Sequence, residues 1–293
     1  MMEDLLLPFQ YDYMNKAIFA ATFIGAVCAM LSSYLMLKGW SLIGDALSHS
    51  IVPGVAAAYI IGVPYVFGAF FSGLLASAAM GFIKAKSNLR EDAIIGLIFT
   101  SFFALGLFMV SLNPTSVNVK NIVLGNILGV SDEDIFQMVT IAGISFVVLI
   151  FTWKDIMVTF FDENHAKTIG INTKFLNILF FTLLSACTIA ALQTVGALLV
   201  IGLIVTPGAT AYLLCDRFGH LMIVSTIIGS VTSFFGAYIS FFLDGATGGV
   251  IILLQTIVFI IVFLFAPKYG LVAAKRKIKQ ASEMLRNPAN REQ

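Results

Sequence analysis

A chain of 293 residues that is 59% hydrophobic and 11% charged, with a formal net charge of +1 and a mean hydropathy of +0.97, is far more apolar than a soluble domain, in which about 25% of residues are charged. Such a composition excludes an ordinary soluble domain and points to a polytopic membrane protein. Three cysteines, Cys28, Cys187 and Cys215, lie in or beside apolar runs without CxxC spacing, so they read as packing residues and exclude a disulfide framework or zinc finger.

The chain starts with MMEDLLLPFQYDYMN, acidic where a secretory signal would be basic, so the first apolar run is expected to stay in the mature protein. Crossing about 30 Å of hydrocarbon takes about 20 helical residues. Uncharged runs of suitable length occupy residues 17–37, 41–61, 66–83, 93–112, 135–153, 175–192, 195–214, 221–243 and 250–266. An all-α membrane bundle of nine crossings is predicted. The very short links at residues 62–65 and 193–194 keep eight and ten open, because neighbouring runs there could form one kinked helix or a re-entrant pair.

The second run carries GDALSHSIVPGVAAAYIIG. An acid near hydrocarbon depth costs about 2.5–3.5 kcal/mol on insertion scales and by default faces a partner or a water-filled path. Asp45 and His49, at i and i+4, share one helix face. Carboxylate and neutral imidazole are both ligands for a divalent metal, and Ser41 and Ser48 fall close to the same face. Pro53 has no N–H, which is expected to free the His49 carbonyl toward the same path. The bland alternative is a hydrogen-bonded pair that only ties helices together.

Further along, residues 118–130, NVKNIVLGNILGV, are too short to span and read as an interfacial helix or a re-entrant segment. Residues 160–171, FFDENHAKTIGI, predict a short surface helix: Asp162 and Glu163 suit its start, Lys167 its end and Gly170 its closure. In IVTPGATAYLL, Pro207 frees the Leu203 carbonyl and Gly208 permits close approach beside Thr206 and Thr210, which favours helix packing. Residues 1–270 read as one membrane domain and 271–293 as a basic cytoplasmic tail near anionic lipid headgroups. The tail lacks the folded basic surface or aromatic interleaving that a nucleic-acid partner would need.

Placing the N-terminus outside and the C-terminus inside puts every Lys and Arg except Lys16 and Lys120 on the cytoplasmic side, which supports an odd number of crossings. The outer segments then carry Glu3, Asp4, Asp12, Asp132, Glu133, Asp134 and Asp244. These acids could concentrate cations at the mouth, or they could simply populate loops from which cations are excluded. No P-loop, H-E-x-x-H or G-x-S-x-G occurs, and Asp45 is the one acid inside a predicted span. Transport is the function class that remains.

GDALSHSIVPGVAAAYIIG, LGNILGVSDED, FFDENHAKTIGI and QTVGALLVIGLIVTPGATAYLL, in that order, closely resemble the permease subunits of bacterial ABC importers for manganese, iron and zinc. The resemblance runs from about Tyr13 to Tyr269 and is strongest to the manganese and iron type. It implies a homodimer in the bacterial cytoplasmic membrane, separate cytoplasmic ATPase subunits, an extracytoplasmic metal-binding protein and no resident cofactor. It also implies that Asp45 and His49 lie on the metal path and that Asp162, Glu163, Lys167 and Gly170 belong to the ATPase-coupling segment. The competing readings are a passive cation channel or ion-coupled secondary transporter, which should carry further intramembrane acids, and a membrane scaffold, which leaves the Asp45–His49 pair unexplained.

Overall fold

Apolar runs in lipid must satisfy their own backbone hydrogen bonds, and each predicted run is helical in the computed structural model, which describes residues 6–40, 42–112, 131–266, 270 and 273. A 3-10 turn at Leu7–Gln10 precedes α1 (Asp12–Lys38), α2 (Ile43–Ser50), α3 (Val52–Ile61), α4 (Tyr65–Lys86) and α5 (Glu91–Leu112). Then follow α6 (Asp132–Phe161), α7 (Glu163–Thr168), α8 (Thr173–Val195), α9 (Ala197–Leu214), α10 (Phe218–Leu243) and α11 (Thr247–Phe265). Among the described residues there is no strand. Residues 118–130, predicted as interfacial or re-entrant, lie outside the described residues, as does all of the 271–293 tail except residue 273.

Among the described residues seven helices, α1, α4, α5, α6, α8, α10 and α11, are long and apolar enough to cross a membrane. Two further passages are shorter or broken. α9 contains Pro207, and it is separated from α8 at Gly196, so residues 175–214 form two helices. The run predicted as a single crossing at 41–61 divides into α2 and α3 around Ile51, which keeps a helical φ of −79°. At about 1.5 Å per residue, Ile43 to Ile61 reaches about 28 Å, close to the hydrocarbon thickness.

Small residues bring the helix axes together, as lipid-immersed packing requires. α1 is the central helix, buried along most of its length, and α10 lies against it through Gly25, Ala29, Gly229 and Ser233: a Cβ on Gly229 would stand 2.4 Å from Ala29 Cβ. The Ser225 hydroxyl donates to the Ala29 carbonyl at 2.6 Å across the same seam. α9 meets α1 where the Gly208 N–H donates to Ser32 Oγ at 3.0 Å, and that hydroxyl donates onward to the Val205 carbonyl at 3.2 Å. The Pro207–Gly208 segment is therefore packed, with an α1 hydroxyl inserted at the helix irregularity. α3 and α4 touch backbone to backbone, a Cβ on Gly54 falling 2.0 Å from the Gly68 carbonyl oxygen. Outward-facing Phe71, Phe136 and Phe151 are 70%, 74% and 81% exposed, which suits a surface solvated by lipid and would be an aggregation liability in water.

Candidate functional site

α2 is two-faced. Ile43, Ala46, Leu47 and Ser50 are buried, one stripe at helical spacing, and the helix packs against α4, α5, α8 and α9. Gly44 keeps α9 close, since a Cβ there would lie 2.7 Å from Ile204 Cγ2. Asp45 and His49 project from the other side, with side chains 39% and 30% exposed. The structure thus brings the two predicted residues together on a partly exposed face, flanked by α5 on the His49 side.

Asp45 Oδ1 and His49 Nε2 are 3.3 Å apart. Two donors bound to one ion at about 2.1 Å stand about 3.0 Å apart at a right angle and about 3.4 Å apart at a tetrahedral angle. The pair is spaced to share a cation. With a proton on Nε2 the same atoms hydrogen-bond instead, so proton and metal compete for one nitrogen. The imidazole is oriented by α5: Phe99 and Phe103 present edge contacts at 5.2 and 5.3 Å, and the two rings stack on each other at 6.0 Å. These phenylalanines were not singled out from sequence, although their i, i+4 spacing in an apolar run was a readable sign that they share a face.

Other predicted neighbours are placed differently. Ser48 is buried, and its hydroxyl donates to the Gly44 carbonyl at 2.8 Å within its own helix. Ser41 lies outside the described residues. The His49 carbonyl, expected to be free because of Pro53, accepts a backbone N–H at the Ile51 cap instead; the break tightens the end of α2 and supplies a donor in place of the missing proline N–H. At the same break, Ser72 on α4 donates to the Ser50 carbonyl at 2.7 Å. α5 closes over the break at Gly106, where a Cβ would stand 2.7 Å from Val52 Cγ1. Among the described residues no group of three or more His, Cys, Asp or Glu could hold a metal. Two donor side chains on one chain would leave most of a metal's coordination shell to water or another subunit, an arrangement that suits passage better than storage.

The second predicted segment forms as its residue types require. Asp162 caps α7, its Oδ1 accepting from the N–H groups of Asn164 and His165 at 3.0 Å each. Glu163 and Lys167 pair at 2.7 Å one turn apart. The hydrogen bond from Lys167, more than any other influence, holds the Glu163 carboxyl below its ordinary range. At the far end Gly170 takes a φ of +85°, and Gly170 and Ile171 return N–H bonds to the carbonyls of Lys167 and Ala166. A Cβ at Gly170 would meet nothing within 4 Å, so the position needs left-handed geometry and makes no close contact. Ala166 alone of this helix is buried; the remaining side chains face outward. Beside α7 lies a recess of about 380 Å³, lined by Met157, Phe161, His165, Tyr212 and Asp216 among others.

The chain as a whole is similar to known proteins. The chain is 63% identical over 279 residues to the chelated iron transport system membrane protein YfeC of Yersinia pestis, covering 95% of each. It is 45% identical over 272 residues to the manganese transport system membrane protein MntB of Synechocystis sp., covering 92% of this chain and 88% of that one. Among solved structures, PsaBC from Streptococcus pneumoniae in complex with Fab aligns with a TM-score of 0.83 at 32% identity, covering 94% of this chain and 100% of that chain. One family spans residues 10–266, a stretch that contains α1 to α11, the Asp45–His49 pair and the capped helix α7, and the chain accordingly belongs to that family, the ABC 3 transport family.

Proposed function

We propose that this chain is the permease subunit of an ATP-driven importer that carries a divalent transition metal, iron or manganese with zinc as a third candidate, into the cytoplasm by alternating access. The observation that carries the reading is the 3.3 Å separation of Asp45 Oδ1 and His49 Nε2 on the partly exposed face of α2. Relatives named for iron and for manganese transport support the cargo class. One carboxylate cannot neutralise a divalent ion, so a second copy facing the first, supplying its own Asp–His pair, is the natural source of the missing charge. A homodimer, two cytoplasmic ATPase subunits docking on α7, and an extracytoplasmic protein that delivers the metal complete the assembly. ATP hydrolysis belongs to those subunits, and the metal is cargo and not a resident cofactor.

The test is uptake of Mn2+ and Fe2+ by proteoliposomes containing this chain with its ATPase. Accumulation against a gradient that stops when hydrolysis is blocked is expected. A flux that merely equilibrates the metal, with or without ATP, would establish the channel reading in its place.

Residues 1–270 form the domain in the cytoplasmic membrane in this reading, and residues 271–293 a tail at the inner headgroups. With the N-terminus outside, cysteines placed at Ala246 should react with an impermeant external thiol reagent, and those at Asn88 and Asn164 should react only after the membrane is opened. Native Cys28 and Cys187 are buried, but Cys215 is partly exposed and should first be changed to serine. Labelling at Asn164 from outside would invert the topology.

A further inference from the structure

A tryptophan buried at the edge of a membrane bundle needs a partner for its indole N–H, and Trp40, 7% exposed between α1 and α2, donates to the Glu91 carboxylate. The same carboxylate pairs with Lys84 at the end of α4. The Trp40 ring stacks on Phe181 of α8 at 5.4 Å and meets Phe160 of α6 edge-on at 5.6 Å. Two ammonium groups approach the ring, Lys84 at 5.1 Å and Lys38 at 5.6 Å. Lys38 also donates to the Phe160 carbonyl at 3.3 Å. Ends of α1, α4, α5 and α6 therefore converge on one indole.

The position of this node relates it to both functional segments. Trp40 is joined to the first residue of α2 by the Ile43 N–H, which donates to the Trp40 carbonyl at 3.3 Å, and α2 carries Asp45 and His49. Glu91 is the first residue of α5, the helix whose Phe99 and Phe103 hold the His49 ring. On the other side, Phe160 stands two positions before Asp162, the cap of α7. The node thus grips both elements that shape the metal pair and the residue that leads into the proposed docking helix. The packing of α1, α9 and α10 does not require a charged cluster here; Glu91, Lys84 and Lys38 add polar links between helix ends that Trp40 and Phe160 already join through the apolar core.

We propose that Trp40, with Glu91 and Lys84, is a positioning element that makes the Asp45–His49 pair follow the movement of α7. The proposal rests on α7 being the ATPase-coupling segment. A shift of α7 is passed through Phe160 to the indole, and from there along α2 directly and along α5 through Glu91, so that both walls of the site move together. None of these residues touches the metal.

The experiment measures Mn2+ transported per ATP hydrolysed by the assembled transporter in proteoliposomes. Trp40→Phe keeps the apolar bulk and deletes the N–H donor. It should retain ATPase binding and Mn2+ binding while the transport ratio falls about two- to thirtyfold, the range in which residues along a coupling network modulate it. Glu91→Gln keeps an acceptor for the indole but loses the pair with Lys84 and should fall less. Lys84→Arg preserves the pair and should match the parent protein. An unchanged ratio in Trp40→Phe overturns the proposal, and so does loss of ATPase binding or of Mn2+ binding in that variant, since either assigns Trp40 to docking or folding. Gly170→Trp, run in parallel, tests the coupling segment separately: undiminished ATPase binding there removes the premise about α7 and the proposal with it, whereas impaired binding there with an unchanged Trp40→Phe ratio overturns the role of Trp40 alone.

Discussion

Asp45→Asn and His49→Ala are each expected to reduce metal uptake to background, a larger loss than the roughly 10–100-fold in affinity that follows removal of an outer-shell partner of a metal ligand. Asp45→Asn is the more informative. If the pair merely tied helices together, deleting the charge would loosen the bundle. If the pair faces a path, deleting it removes a group that costs about 2.5–3.5 kcal/mol to insert, and the protein should insert as well as before, with an unfolding temperature in detergent that is unchanged or raised. The geometry favours the second outcome, because both side chains are partly exposed while the buried stripe of Ile43, Ala46, Leu47 and Ser50 lies on the opposite side of α2. Ligation by His49 needs the neutral ring, so uptake by the parent protein should also decline on acidification. Wild-type uptake by either variant would remove the pair from the path.

What could be read from sequence here was what sits on one element. The i, i+4 spacing of Asp45 and His49, the cap at Asp162 and the closure at Gly170 depend on residues a turn apart, and their local geometry follows from backbone stereochemistry alone. Nine apolar passages followed for the same reason, since hydropathy and length act within one helix. Features that required two distant elements were not legible. Phe99 and Phe103 matter only because α5 lies over α2, and Trp40 gains its meaning only when Glu91, Lys84 and Phe160 arrive from three other helices. The fate of the His49 carbonyl was misjudged because the proline was credited with leaving an acceptor open, whereas a tightened helix end found another donor for it. Ser48 was placed by its angle on a helical wheel, and its hydroxyl turned to its own backbone, a common choice for serine inside a helix.

The capped helix α7 supplies the other large effect. Gly170→Ala should weaken binding of the ATPase subunits modestly, because an alanine at a φ of +85° costs about 1–2 kcal/mol in left-handed strain without adding bulk. Gly170→Trp should lower it by about tenfold or more, equivalent to at least about 1.4 kcal/mol. Nothing lies within 4 Å of a Cβ at this position, so tryptophan shares the left-handed strain of alanine and adds to it the bulk that obstructs what docks there. Contrast between the two substitutions separates a folding defect from a blocked surface. Equal losses would mean that α7 has unfolded, and equal retention would mean that nothing docks on it. Asp162→Ala is a second route to the same surface: losing a cap that satisfies two N–H groups costs about 0.5–2 kcal/mol. The Glu163–Lys167 pair is half exposed and contributes little by itself. Because its carboxyl lies below the ordinary range, that support is present above the carboxylate's unfolded titration range and is lost as pH falls through its lowered folded range. Binding of the ATPase to the Asp162→Ala protein should accordingly be more acid-sensitive than to the parent. Metal binding at Asp45 and His49 should survive all three changes, since α7 makes no direct contact with the pair; its loss would show that α7 maintains the fold of the site and does not merely drive it.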